Sequence, residues 1–167
     1  MKSKLTILLT ALVLAVSSNI HAAEGADAHH RHGHDNSEPT KLQLNAGKKW
    51  ATDQALRQTM SEINQAMAKA LPAIHHNQFG DGEYQALATT VNEKVAYAVA
   101  NCKLEAKADA MLHLVIADLL AGAEIMAGKS VQGKTASPPH DGAVRVLDAL
   151  KSYGKYFQHT GWKAAKG

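Results

Sequence analysis

The sequence predicts an all-α fold: an antiparallel up-down-up-down four-helix bundle preceded by a signal peptide and a disordered His-rich arm. Two observations carry this. Apolar residues recur at three-and-four spacing in four separate stretches with no strand-like alternation, and abundant Ala, Leu and Val accompany an aromatic share of only 5%, which suits helices packed closely together. The organising stretch runs from Leu104 to Gly128. Its face comprises Ala108, Met111, Leu112, Val115, Leu119, Gly122 and Met126, widened by Ile116, Leu120 and Ala123, so it needs neighbours on more than one side.

The elements before it follow in order. Residues 1–22 read as a secretory signal peptide: Lys2 and Lys4, then the uncharged run Leu5 to Val16, then small residues at Ala22 and Ala23 as cleavage points. The run is too short for a span of about 20 residues, and no later run escapes charge long enough to span, so the expectation is a periplasmic or secreted chain with no membrane insertion after cleavage. Without Lys2 and Lys4 the formal net charge of +3 falls to +1, which argues against nucleic acid as a partner. Cys102 is the single cysteine, so stability must come from packing and not from an internal disulfide.

Residues 23–44 lack apolar periodicity and gather Gly, Asp, Asn, Ser and Pro, the composition of a mobile arm. Within it stand His29, His30, His32 and His34 with Asp35, four imidazoles and a carboxylate in seven residues. Imidazole is the commonest protein ligand for Zn, Cu and Ni, and a His-rich tract can close around such an ion without a preformed cage. A solvated linker whose histidines only charge on acidification is the plainer alternative.

The bundle is expected over residues 45–163, with 164–167 as a tail. Its first helix should begin near Thr52 or Asp53, either a competent N-cap, with Leu56, Met60, Ile63, Met67, Leu71 and Ile74 inward, Arg57, Glu62, Gln65 and Lys69 outward, and Pro72 bending or ending it. A second helix from Glu83 carries Tyr84, Leu87, Val91, Val95, Ala98, Val99 and Cys102 on its face. Cys102 reads there as a small buried hydrophobe, with a ligand or reactive thiol as the alternative. After the central helix, residues 129–140 form a loop closed by Pro138 and Pro139, and Asp141 can cap a fourth helix with Val144, Leu147, Leu150, Tyr153 or Gly154, and Phe157 inward. Gly122 and Gly154 lie inside helical patterns, which points to close helix approach.

Antiparallel alternation would bring Trp50, Cys102, Tyr156, His159 and Trp162 to one end of the bundle and His75, His76, Asp81, His140 and Asp141 to the other. His75, His76 and His140 are therefore secondary metal candidates, since a closed site needs about three or four donors. In mid-bundle, Met60 and His113 fall about 10 to 14 Å from the same end at about 1.5 Å rise per residue, a shared layer in which a facing pair would be axial haem ligands or two copper ligands. An ordinary core methionine and a boundary histidine hydrogen-bonded to a neighbour are the plainer alternative.

Four helices after a signal peptide, with an alanine-rich core, resemble the periplasmic cytochrome b562 and cytochrome c′ bundles over about Trp50 to Trp162. The resemblance is one of architecture. It implies a haem-carrying or electron-transfer bundle, with Met60 and His113 as the positions available for b-type ligation. Covalent c-type attachment is excluded, because Cys102 is followed by Lys103 and Leu104 instead of completing a Cys-x-x-Cys-His motif.

No phosphate loop, His-Glu-x-x-His, Gly-x-Ser-x-Gly or Cys-His pair with an orienting residue is present, so an enzyme is not expected. The leading expectation is a protein that takes up Cu, Zn, Ni or Co through the arm. A haem or electron-transfer bundle and a non-catalytic module recognising another envelope protein are the alternatives.

Overall fold

The computed structural model describes residues 40–129 and 137–166. They form four helices, α1 (Gln54–His75), α2 (Asp81–Asn101), α3 (Ala106–Met126) and α4 (Pro139–Tyr156). Among the described residues there is no β-strand, only the isolated bridges Asn45 to Lys48 and Trp50 to Phe157. No helix of the described residues is long and apolar enough to cross a membrane. The expected signal peptide and the histidines of the expected arm lie outside the described residues.

The helix ends are set by local chemistry. Asp53 caps α1, its Oδ1 accepting from the Leu56 N–H at 2.7 Å. At the other end Asn77 takes φ +54° while its N–H reaches the Ile74 carbonyl and that of Gln78 reaches Ala73. This is a Schellman closure, with Asn in the left-handed position that glycine usually fills. Pro72, expected to bend or end α1, does not end it. The helix continues to His75, because a proline near the carboxyl end removes only one bond of the ladder. At the start of α2 the Gly80 N–H donates to Glu83 Oε2 at 2.8 Å, and Asp81 and Glu83 place negative charge at the positive end of the helix. α3 closes as α1 does, with Gly128 at φ +74° and the Lys129 N–H bonded to the Glu124 carbonyl. α4 begins three residues earlier than an Asp141 cap would place it: Pro138 is the N-cap, Pro139 is the first helical residue, and Asp141 lies in the first turn.

Pairs of contacts fix the direction of neighbouring helices. Glu62 meets Lys94 at 2.7 Å and the Asp53 carboxylate meets the Lys103 N–H at 2.6 Å, so α1 and α2 run antiparallel. Asp118 meets Arg145 at 2.8 Å and Gly122 faces Gly142 and Val146, so α3 and α4 also run antiparallel. The most extensive helix–helix contact is that of α3 with α4.

The core runs the length of the bundle. Leu56, Met60, Ile63 and Met67 of α1, Val91 of α2, Val115 and Leu119 of α3, and Val146, Leu150 and Tyr153 of α4 are all fully enclosed. Two expected core positions are displaced. Val99 is 64% exposed and Val144 41%, while Ala88 and Val146 occupy the buried positions instead. In α4 the face is recruited by its partner: Val146 packs where Gly122 opens room on α3. In α2 the face ends at Ala98, because the chain leaves the helix at Cys102 and turns into α3.

Segments outside the helices also belong to the fold. Trp50 is buried, its indole N–H donating to the Gln43 carbonyl at 2.7 Å. Its backbone pairs with Tyr156 and Gln158, clamping the approach to α1 against the exit from α4. Leu42 and Trp162 pack against the core. Ala165 is buried, and its N–H donates to Asn64 Oδ1 at 2.7 Å. Chain on both sides of the expected 45–163 boundaries is therefore docked onto the bundle: Leu42 and Gln43 from the expected arm, Ala165 from the expected tail.

Candidate functional site

The end of the bundle where α1 starts and α4 finishes gathers polar side chains from α1, from the connection between α2 and α3, and from the chain after α4. Asp53 is its tie. One carboxylate oxygen caps α1 and the other accepts from the backbone of Lys103, joining α1 to the connection between α2 and α3. The adjoining Cys102 is half-buried. Burial, assisted by the Asp53 charge, pushes the Cys102 thiol up to about 11, so near neutral pH it is a thiol and a poor nucleophile.

Across the same end, the Tyr153 hydroxyl lies 2.9 Å from His159 Nδ1. Tyr153 is fully buried, stacked on Phe157 and met edge-on by Trp162. Burial holds the phenol far above its ordinary range. Burial also pushes the His159 imidazole down, and the nearby Arg57 guanidinium adds to that. Both effects favour a neutral ring.

His159 and Arg57 share a cleft of about 690 Å³ between the start of α1 and the chain following α4. Thr52, Gln54, Gln58, Ser61, Gln158 and Thr160 complete most of its wall. Arg57 Nη1 donates to the Thr52 carbonyl at 2.6 Å and to its hydroxyl at 3.1 Å, which fixes the guanidinium in place. A second crevice, of about 320 Å³, lies between α2 and α3 and is lined by Val99, Cys102, Leu112, His113 and Ile116 among others.

The residues singled out in the sequence are placed as follows. His29, His30, His32, His34 and Asp35 lie outside the described residues. Met60 is fully buried, whereas the His113 side chain is 64% exposed, its Nδ1–H donating to the Asp109 carbonyl at 2.9 Å and lying 3.4 Å from that residue's carboxylate. The two therefore do not face each other across the core. A ring on the solvated side of α3 satisfies its polar atoms locally, while Met60 belongs to the enclosed hydrophobic core. His75 and His76 are exposed, and His76 Nδ1–H donates to the Pro72 carbonyl at 2.6 Å. His140 is exposed, 3.7 Å from Asp141. Among the described residues no three His, Cys, Asp or Glu side chains are grouped to hold a metal, so His75, His76 and His140 are not brought together.

Arg57 and its cleft carry no signal in the sequence. Arg57 looks there like one more charge on the solvated face of α1, and only the return of the chain after α4 turns that face into a wall. His159 is legible as far as its place at this end, beside Trp162. No family model, curated protein or solved structure matches the chain.

Proposed function

We propose that the chain is an exported protein, periplasmic or secreted, that binds a transition metal of the Cu, Zn, Ni or Co group through His29, His30, His32 and His34 with Asp35, in metal handling or resistance. One observation carries this reading: four imidazoles and a carboxylate fall within seven residues, a donor density that suits these borderline ions and has no counterpart elsewhere in the chain. The bundle supports it as a carrier. Its interior is filled by apolar side chains from all four helices, a packed core that supplies stability of its own.

The experiment is calorimetric titration of the intact chain, and of a chain lacking residues 23–40, with Zn and Ni and, under reducing conditions, with Cu. The expected result is stoichiometric binding that disappears with the deletion. Unchanged stoichiometry and affinity without those residues would refute the reading. Replacing His29, His30, His32 and His34 by Ala in steps should weaken binding progressively, as expected when several imidazoles share one ion.

A further inference from the structure

We propose that the cleft between the start of α1 and the chain following α4 binds a small solute bearing a carboxylate or phosphate group, with the Arg57 guanidinium as its anchor. Arg57 is half-buried, and no carboxylate pairs with it among the described residues, where every ion pair involves another cation. Its Nη1 is spent on Thr52, which fixes the fork and leaves Nη2 and Nε as donors. A planar guanidinium held this way is pre-organised for an oxyanion, so little side-chain freedom is lost on binding.

The rest of the wall is neutral and polar. Gln58, Ser61, Gln158, His159 and Thr160 line the cleft, and no carboxylate does. Asp53, the nearest acid in sequence, is not part of the wall, and both its oxygens are engaged by the backbone of Leu56 and Lys103. Amides and hydroxyls around one fixed cation suit a ligand with one anionic end and further hydroxyl or carbonyl oxygens. The His159 ring is held from behind by Tyr153 through Nδ1, which leaves Nε2 to take part as donor or acceptor.

The test uses the full, metal-free chain, titrated calorimetrically with sodium gluconate, with inorganic phosphate and with glycerol as an uncharged polyol. Either anion should bind at one site per chain and glycerol should not. The tighter of the two anions tells a carboxylate solute from a phosphate one. Arg57→Gln should weaken binding about tenfold or more, the scale of a lost charge-assisted hydrogen-bond pair. Because Arg57 also ties down Thr52, Gln158→Glu serves as the second variant. It brings a carboxylate into the cleft wall and leaves the backbone bonds of residue 158 with Trp50 and Thr52 in place, and it should abolish binding with an unchanged circular dichroism spectrum. Absence of binding by both anions up to about 10 mM, equal binding of glycerol, or binding that survives both substitutions would overturn the proposal. None of these outcomes depends on residues 23–40, so the cleft and the His-rich tract stand or fall separately.

Discussion

A Cβ on Gly142 would lie 2.5 Å from the carbonyl oxygen of Gly122, so α3 and α4 meet backbone to backbone at these two residues. A methyl group at either position has nowhere to go, because the nearest obstacles include main-chain atoms that cannot rotate away. Gly142→Ala and Gly122→Ala should each destabilise the bundle by about 1–3 kcal/mol, the scale of overpacking a filled core. Gly82→Ala is the matched control. Nothing lies within 4 Å of a Cβ there, so the change should be neutral or stabilising by up to about 1 kcal/mol. Urea unfolding midpoints at fixed pH check all three.

Leu112 and Leu119 are 2% and 0% exposed on the inner face of α3. Either Leu→Ala change should cost about 2–5 kcal/mol. Val99→Ala and Val144→Ala, on apolar side chains that remain in water, should stay within about 0.5 kcal/mol. If Val144→Ala cost as much as Leu119→Ala, the placement of α4 would be wrong.

His159 couples stability to pH. Its folded-state pKa lies below the ordinary value, first through burial and then through Arg57, so the fold prefers the neutral ring. The stability this provides is fully present above the unfolded value of about 6.5 and is lost as pH falls through the lower folded value. His159→Gln should therefore flatten the acid side of a plot of urea midpoint against pH. In the wild-type chain the imidazole proton signals of His159 should titrate below the ordinary histidine value of about 6.5.

Cys102 should react slowly with disulfide reagents near neutral pH. With the thiol pushed up to about 11, only about one molecule in ten thousand carries the thiolate at pH 7. The rate should climb tenfold per pH unit until it levels near 11. Asp53→Asn removes a charge that contributes to the shift and should raise the rate at pH 8, an outcome that stopped-flow absorbance would register.

Metal binding by the His-rich tract should fade as pH falls through about 6.5, because a protonated imidazole has no lone pair for a metal. Calorimetry at pH 7.5 and pH 5.5 should show affinity falling by more than tenfold. A pH-independent affinity would point to carboxylate donors and away from His29, His30, His32 and His34.

Four helices, their inner faces and most of their ends are written locally. The three-and-four recurrence of Leu56, Met60, Ile63 and Met67, or of Met111, Leu112, Val115 and Leu119, permits one buried stripe, and Asp53 is a cap wherever its helix packs, because these features act within one or two turns of chain. The donor density of His29 to Asp35 is likewise a property of composition alone. What the tertiary structure decided depends on partners far away in sequence. Val146 replaces Val144 in the core because Gly122, on another helix, leaves room there. Met60 turns inward and His113 outward, because the facing of a ring near the edge of an apolar stripe is settled by which neighbouring helices cover it. Arg57 becomes the wall of a cleft only because residues 158–160 return beside it after α4, and a juxtaposition across about a hundred residues has no periodicity by which the sequence could announce it.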